Sequence, residues 1–499
     1  MSGERAPIVE IKGINKAFGG VRVLKDIDLT INPGDIVCLC GENGSGKSTI
    51  IKIISGVYTF DTGTVKLNGK NFSTLSSSQS IDEGIQVIYQ DLSVFHNLTV
   101  AENISFSYRV QKKHKLVNYK FSRELAKSAL EKLGIELDLD KEVGYLSVAE
   151  RQLVAISRAI AQEASLIIMD EPTTAITQRE IEKLLDIIRG LKEQGIAVLF
   201  VSHKLEEVVA VCDRVIVTRN GEKVVDSTVT EFDADRISYY MTGEEITVQS
   251  FDYKDSTAEP LIEVKDLAVK GQFEKVSFSV KPGEILAIAG QLGSGRTELA
   301  ETLFGLNPGY TGEISIDGKK THLKSRKVAL KHGIAYLPED RLTEGLFMNR
   351  SLGENFSAVI VDKMTKFGFI SERKIEDLSD NWISELRMSK KPYTTPANNY
   401  SGGNQQRIVL GKWLASKPRI FILNCPTVGV DVKSKSEIHE IIKKLASQGF
   451  AIIMMSDDIP EVISTSNRVL IMVGGKVTYE CNTTDVTKEQ MNDKILQAV

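Results

Sequence analysis

Five cysteines in 499 residues, Cys38, Cys40, Cys212, Cys425 and Cys481, are too few and too scattered for a disulfide framework. Cys38 and Cys40 stand in an apolar stretch with no second pair at zinc-ligand spacing. Zinc modules are thereby excluded, and buried thiols in a reducing cytoplasm are expected. Long hydrophobic runs are missing too. The most apolar stretches, "IAVLFV" at 196–201 and "FAIIMM" at 450–455, have the length of buried strands. A bilayer span needs about 20 apolar residues. The opening "MSGERAPIVE" has no apolar core, so no signal peptide is expected. Charge of one sign is not in excess either. A net charge of −4 and a pI near 6.0 lack the basic footprint of a dedicated nucleic-acid binder, and no nucleic-acid partner is expected.

What is present is ordinary globular material, 42% apolar and 26% charged, in a chain too long for one core. The chain is also written twice. "INPGDIVCLCGENGSGKSTI" (31–50) matches "VKPGEILAIAGQLGSGRTEL" (280–299), an offset of 249, and "TGTVKLNGK" (62–70) matches "TGEISIDGK" (311–319). "YLSVAERQLVAISRAIA" (145–161) matches "YSGGNQQRIVLGKWLA" (400–415) once one gap is allowed, and "VIVTRNGEKV" (215–224) matches "VLIMVGGKVT" (469–478). Two domains are expected, 1–245 and 261–499, joined by the polar linker 246–260 that ends in proline. Within each, β-branched apolar runs alternate with amphipathic stretches such as "REIEKLLDIIRGLKEQG" (179–195). That pattern predicts an α/β domain with a mostly parallel sheet. Residues ~104–145 read as a helical insertion, whose "KKHK" (112–115) is a solvated face or an acidic-partner surface.

"GENGSGKST" (41–49) satisfies G-x-x-x-x-G-K-[ST] between a strand and a helix, the context that a phosphate-binding loop requires. Gly41, Glu42, Asn43, Gly44, Ser45, Gly46, Lys47, Ser48 and Thr49 are therefore expected around phosphate oxygens. Lys47 would bridge the terminal phosphates of ATP, and Ser48 would ligate Mg²⁺. "LIIMDEP" (166–172) ends a strand in two carboxylates, either a solvated turn or a site. As a site, Asp170 would hold the metal and Glu171 would deprotonate the attacking water. Gln90 in "VIYQD" (87–91) carries an amide able to touch both metal and water. His203 in "LFVSHK" (199–204) is structural or reaches the γ-phosphate, and Phe18 in "KAFGGV" stacks on adenine or fills core.

Phosphate loop, Gln90, a Leu-Ser helix start, "DEPT" and His203, recurring in register in the second half, resemble the ATP-binding-cassette superfamily. The resemblance implies two tandem P-loop NTPase domains, each with a mostly parallel core sheet, an antiparallel β subdomain and a helical subdomain. It also implies that each ATP is completed from the other domain. Lys47, Ser48, Gln90, Asp170, Glu171 and His203 would work with Ser401, Gly402 and Gly403 of "SGGNQ" and with Asp431. The other combination, Arg296, Thr297, Glu339, Asn424, Cys425 and Asp457 with "LSVAERQ" (146–152), is altered at nearly every part. Arg is not a point charge, Asn supplies no charge to Mg²⁺, and a thiol is mostly protonated at neutral pH. Ala149 and Glu150 stand where glycines would admit a phosphate, and "VKGQFEKVSF" (269–278) is shortened where Phe18 lies in the first half. One turnover site per chain is expected.

"GRTE", "PEDR" (338–341) and "SGGNQQR" (401–407) narrow the likeness to tandem ATPase subunits of monosaccharide importers of the ribose, galactose and xylose type, including nucleoside importers. "NCPTVGVD", with Val428, departs from that group's pattern. The likeness implies two membrane permease subunits, an extracytoplasmic substrate-binding protein and peripheral attachment at the cytoplasmic face of the inner membrane. One chain would supply both ATPase domains without homodimerisation. A soluble tandem ATPase acting on ribosomes is the alternative. The ~15-residue linker and the stripped second site count against it. A non-catalytic nucleotide-propped module is countered by Glu171, His203 and "SGGNQ".

Overall fold

The computed structural model describes residues 6–113, 116–173, 176, 178–202, 204–244, 257–291, 293–366 and 369–497. It divides into two compact units, Met1–Ile246 and Thr247–Val499. Most of the expected linker, His203, and His114 and Lys115 of "KKHK" lie outside the described residues.

In the first unit, runs rich in Ile, Val and Leu build a six-stranded sheet. Its spatial order is Glu222–Thr228, Arg214–Arg219, Ile36–Gly41, Ala197–Val201, Leu166–Asp170, Ile85–Ile88. All neighbours are parallel except the first pair. Strands buried on both faces read as unbroken apolar runs, and Val37, Leu39, Ile168 and Leu199 are indeed fully buried. An antiparallel sheet of Val9–Phe18, Val21–Ile31, Thr62–Leu67 and Lys70–Phe72 packs beside it. The helical insertion comprises Val100–Gln111, Tyr119–Lys132 and Val148–Ala161.

The second unit repeats this plan, with sheet order Ile334–Leu337, Ile420–Asn424, Ala451–Ser456, Ile285–Ala289, Arg468–Val473, Lys476–Asn482. Its insertion differs: two short helices, Leu352–Ser357 and Val361–Met364, and a small hairpin precede Glu372–Glu385. Among the described residues no helix is long and apolar enough to cross a membrane.

Candidate active site

Parallel α/β sheets offer ligand sites at the carboxyl ends of their strands. In the first unit those ends carry Gly41, Ile88, Asp170 and Val201. Met169 pairs with Phe200 and Asp170 with Val201, and Ala197–Val201 in turn pairs with Ile36–Gly41, so the register sets the carboxylates one strand away from the strand that leads into the phosphate loop.

Sterics dictate the loop. Gly46 has φ 104°, and a Cβ there would lie 2.5 Å from Leu24 Cδ2. Only glycine fits such a place, immediately before the helix Lys47–Ile54. Gly44, by contrast, borders open space. Ser45 is buried with its hydroxyl 3.0 Å from that of Thr218, which ties the loop to a neighbouring strand. Lys47 Nζ donates to the carbonyls of Gly41 at 2.6 Å and Glu42 at 3.0 Å. Burial lowers its pKa from the ordinary amine value, against the opposing pull of Glu171 and Asp170. Asn43 is exposed and Thr49 half-buried, its amide bonded to Gly46 O at 3.0 Å.

Ser48, Gln90 and Asp170 share the wall of one cavity of about 530 Å³ with Lys52, Tyr89 and Asp91. Asp170 is raised above the usual carboxylate value, by burial first and then by the charge of Glu171. A cation facing it would relieve both. Glu171 holds a left-handed backbone, φ 50°, and its amide donates to Val201 O at 2.8 Å. A non-glycine residue in that conformation is strained, and such strain concentrates at functional sites. A glycine-shaped cradle, a lysine at its rim and oxygen donors around one cavity fit a nucleoside triphosphate with a hard divalent cation.

Phe18 is not core. It is 42% exposed, edge-on to Tyr58 with ring centroids 5.2 Å apart, and Lys16 Nζ stands 5.3 Å from its ring. The turn at Gly19–Gly20 carries it to the surface. Tyr58, Lys52 and Tyr89 escaped the sequence reading. Lys52 had one local signal, four residues after Ser48 on the same helix face.

The second unit keeps the backbone and changes the chemistry. Cys425 has φ 48°, and its amide donates to Met455 O at 2.9 Å, as Glu171 does to Val201. Its thiol is 3% exposed, and burial pushes its pKa well up, so no thiolate is available as a base. Asn424 is fully buried, its amide nitrogen 3.4 Å from Thr297 Oγ1 and 3.5 Å from the Tyr336 hydroxyl. Arg296, 4% exposed, lies 3.7 Å from Asp457. Thr297 donates to Glu339 at 3.3 Å. Asn424, Thr297 and Glu339 are thus in contact at the positions that match Asp170, Ser48 and Gln90 of the first unit.

The ABC transporter family profile matches residues 24–174 and again 273–428. The ribose import ATP-binding protein RbsA of Geobacillus kaustophilus is 42% identical over 472 residues, covering 94% of this chain and 95% of that protein. RbsA of Bacillus subtilis is 36% identical over 483 residues, covering 97% and 98%. A putative ribose/galactose/methyl galactoside import ATP-binding protein of Rhizobium meliloti is 39% identical over 472 residues, covering 94% and 92%. This chain belongs to the ABC transporter family. It is an ABC-type ATPase built from two α/β cassettes, and such cassettes bind ATP.

The two ABC cassettes also differ at one helix start. In the first, Ser147 Oγ accepts from the Glu150 amide at 3.2 Å, and the Glu150 carboxylate accepts from the Ser147 amide at 2.8 Å. This capping box places an anion of the chain's own on the helix N-terminus. In the second, Ser401 makes no such cap, and its hydroxyl accepts from the Asn404 side-chain amide at 3.0 Å. Gly403 is buried against Ser434, a close approach that no side chain would allow. Asp431 caps the helix Val432–Ser447, accepting from Ser434 N at 2.8 Å and Ser434 Oγ at 3.0 Å. Both of its oxygens are therefore engaged within its own cassette.

Proposed function

We propose that the chain is the ATP-hydrolysing subunit of a membrane importer for a monosaccharide or related ligand, with one competent hydrolytic site. The observation that carries this is the pairing of matched backbones with unmatched chemistry. Ser48, Gln90 and Asp170 converge on one cavity beside Lys47 in the first cassette. Asn424 and Cys425 are buried at the corresponding bend in the second. In this proposal Ser48, Gln90 and Asp170 hold Mg²⁺, which supplies charge neutralisation at the phosphates. Lys47 and the loop amides orient them, Glu171 takes the proton of the attacking water, and Phe18 flanks the base. His203 is proposed to contact the γ-phosphate, and Ser401, Gly402, Gly403 and Asp431 to supply the remaining contacts.

Sugar cargo is supported by relatives named for ribose and galactose import that match nearly the whole chain. Two permease subunits and an extracytoplasmic binding protein would complete the system, with this chain peripheral on the cytoplasmic face and both cassettes supplied by one chain. Phosphate release by two variants tests the site assignment. Glu171→Gln is expected to lower turnover by about a hundredfold or more, the scale of a lost general base. Cys425→Ala is expected to keep the wild-type rate. Equal losses from both would defeat the proposal of one competent site.

A further inference from the structure

In the second cassette the segment that begins at Glu339 is pinned to the helix Gly402–Leu414 at both of its ends. Asp340 accepts from the amides of Leu342 at 2.8 Å and Thr343 at 3.3 Å, and from the Thr343 hydroxyl at 2.6 Å. That cap winds Arg341–Gly345 into a single π turn, a form that recurs at functional sites. Lys412, in the last turn of the helix, donates its ammonium to Gly345 O and so holds the far end. Arg341 holds the near end. Its Nη1 donates to Val428 O at 2.6 Å and its Nη2 to Gly429 O at 3.0 Å, while Nε stands 3.5 Å from Gln405 Oε1. A Cβ built on Gly402 would lie 3.1 Å from Arg341 Nη2, so the guanidinium packs against the first residue of the helix. In the first cassette the matching position is Leu92. There the loop is held by Arg158 of the helix, which donates to Leu92 O at 3.3 Å and Ser93 O at 2.8 Å.

We infer, resting on the function proposed above, that Arg341 is a positioning residue for ATP hydrolysis. It sets the spacing between the helix start at Ser401–Gly403 and the turn Val428–Asp431, and it adds fixed positive charge where phosphate is to be received. The arginine fork suits this role, because two carbonyls on successive residues need two divergent donors on one rigid plane. An ammonium is a single point and holds one of them well. The charge is partly removed from water, where its field on a nearby anion is stronger. The Arg341 guanidinium occupies the two carbonyls of the turn at Val428 and Gly429.

Steady-state ATP turnover by the full-length chain, with thermal melting measured alongside, tests this in Arg341→Ala, Arg341→Lys and Ser401→Ala. Arg341→Ala is expected to lower kcat by about tenfold, the scale of a modest misplacement of a reacting-site group, with KM for ATP little changed. Arg341→Lys is expected to recover less than half of that loss while melting like the wild type, which keeps the test valid should the alanine variant fold poorly. A wild-type kcat in Arg341→Ala beside a clear loss in Ser401→Ala would overturn the inference. So would a loss that merely tracks the unfolded fraction. An undiminished rate in Ser401→Ala would instead overturn the phosphate role of that helix start, and the inference with it.

Discussion

Glu171 and Cys425 occupy the same bend after the same strand, each in a left-handed conformation and each hydrogen-bonded to the neighbouring strand. Holding a non-glycine residue there costs on the order of 1 kcal/mol, and the second copy still bears that cost without the carboxylate. Burial of the thiol yields a concrete expectation. Among the five cysteines Cys481 is half-buried and the other four are buried. Brief alkylation of the native chain, read by mass spectrometry, should label Cys481 first and Cys425 only after denaturation. Native labelling of Cys425 would contradict its enclosure. Residues of this kind were readable in the sequence because strand, bend and side chain are contiguous. Tyr58, which frames the same site, meets Phe18 only across the fold, and nothing near it in the chain announces that.

Two helices of one design begin in opposite states. Ser147 and Glu150 close a capping box, whereas Ser401 has asparagine at the position three residues on. Replacing Asn404 by Glu would complete the pattern S-x-x-E and seat a carboxylate on the second helix start. The expected result is a helix stabilised by up to about 1 kcal/mol in urea unfolding. Loss of ATP turnover should accompany it, since the proposed phosphate position is then held by the chain's own anion. A stabilised variant with undiminished turnover would separate this helix from catalysis. The converse change, Glu150→Ala, should cost about 1 kcal/mol of stability in the first cassette, again by urea unfolding. The spacing of Ser147 and Glu150 was visible in the sequence. That the carboxylate turns back onto its own helix is a rotamer choice made by local packing.

Across the molecule the duplication reaches beyond the catalytic loops. The helix positions Ile181 and Leu185, both buried in the first cassette, correspond to Lys435 and His439 in the second. His439 lies 2.8 Å from Glu461, which is 2% exposed and accepts from Thr427 at 2.7 Å and Ser456 at 2.5 Å, while Lys435 donates to the neighbouring Asp458. Burial works to raise the Glu461 pKa. The hydrogen bond and charge of His439 and the charge of Lys435 overcome it and hold the carboxyl well below its usual value. A depressed carboxylate contributes stability that is complete above its unfolded value of 4.5 and is lost as pH falls from there toward about 2. Acid unfolding followed by circular dichroism should therefore steepen below pH ~4.5 through this group, and Glu461→Gln should remove that component. The same variant should cost about 1–3 kcal/mol near neutrality, because the hydrogen bonds that Thr427, Ser456 and His439 make to the buried carboxylate are weakened, while Lys435 keeps its ion pair with Asp458. An unchanged neutral stability would mean that the network contributes nothing.

The duplication, the alternation of strands and helices, the phosphate loop and the loss of carboxylates at Asn424 and Cys425 could all be read along the chain. The motifs are matters of neighbours a few residues apart, and the duplication is a comparison of such motifs between the two halves, so periodicity and chemistry are written directly. The aromatic pair at the surface, the self-capped first helix, the Arg341 contact and the Glu461 network could not. Apart from the capping box, whose partners are three residues apart and whose closing is a rotamer choice, most of these partners lie 22 to 88 residues distant. Whether such side chains meet depends on strand register and packing that local pattern does not specify.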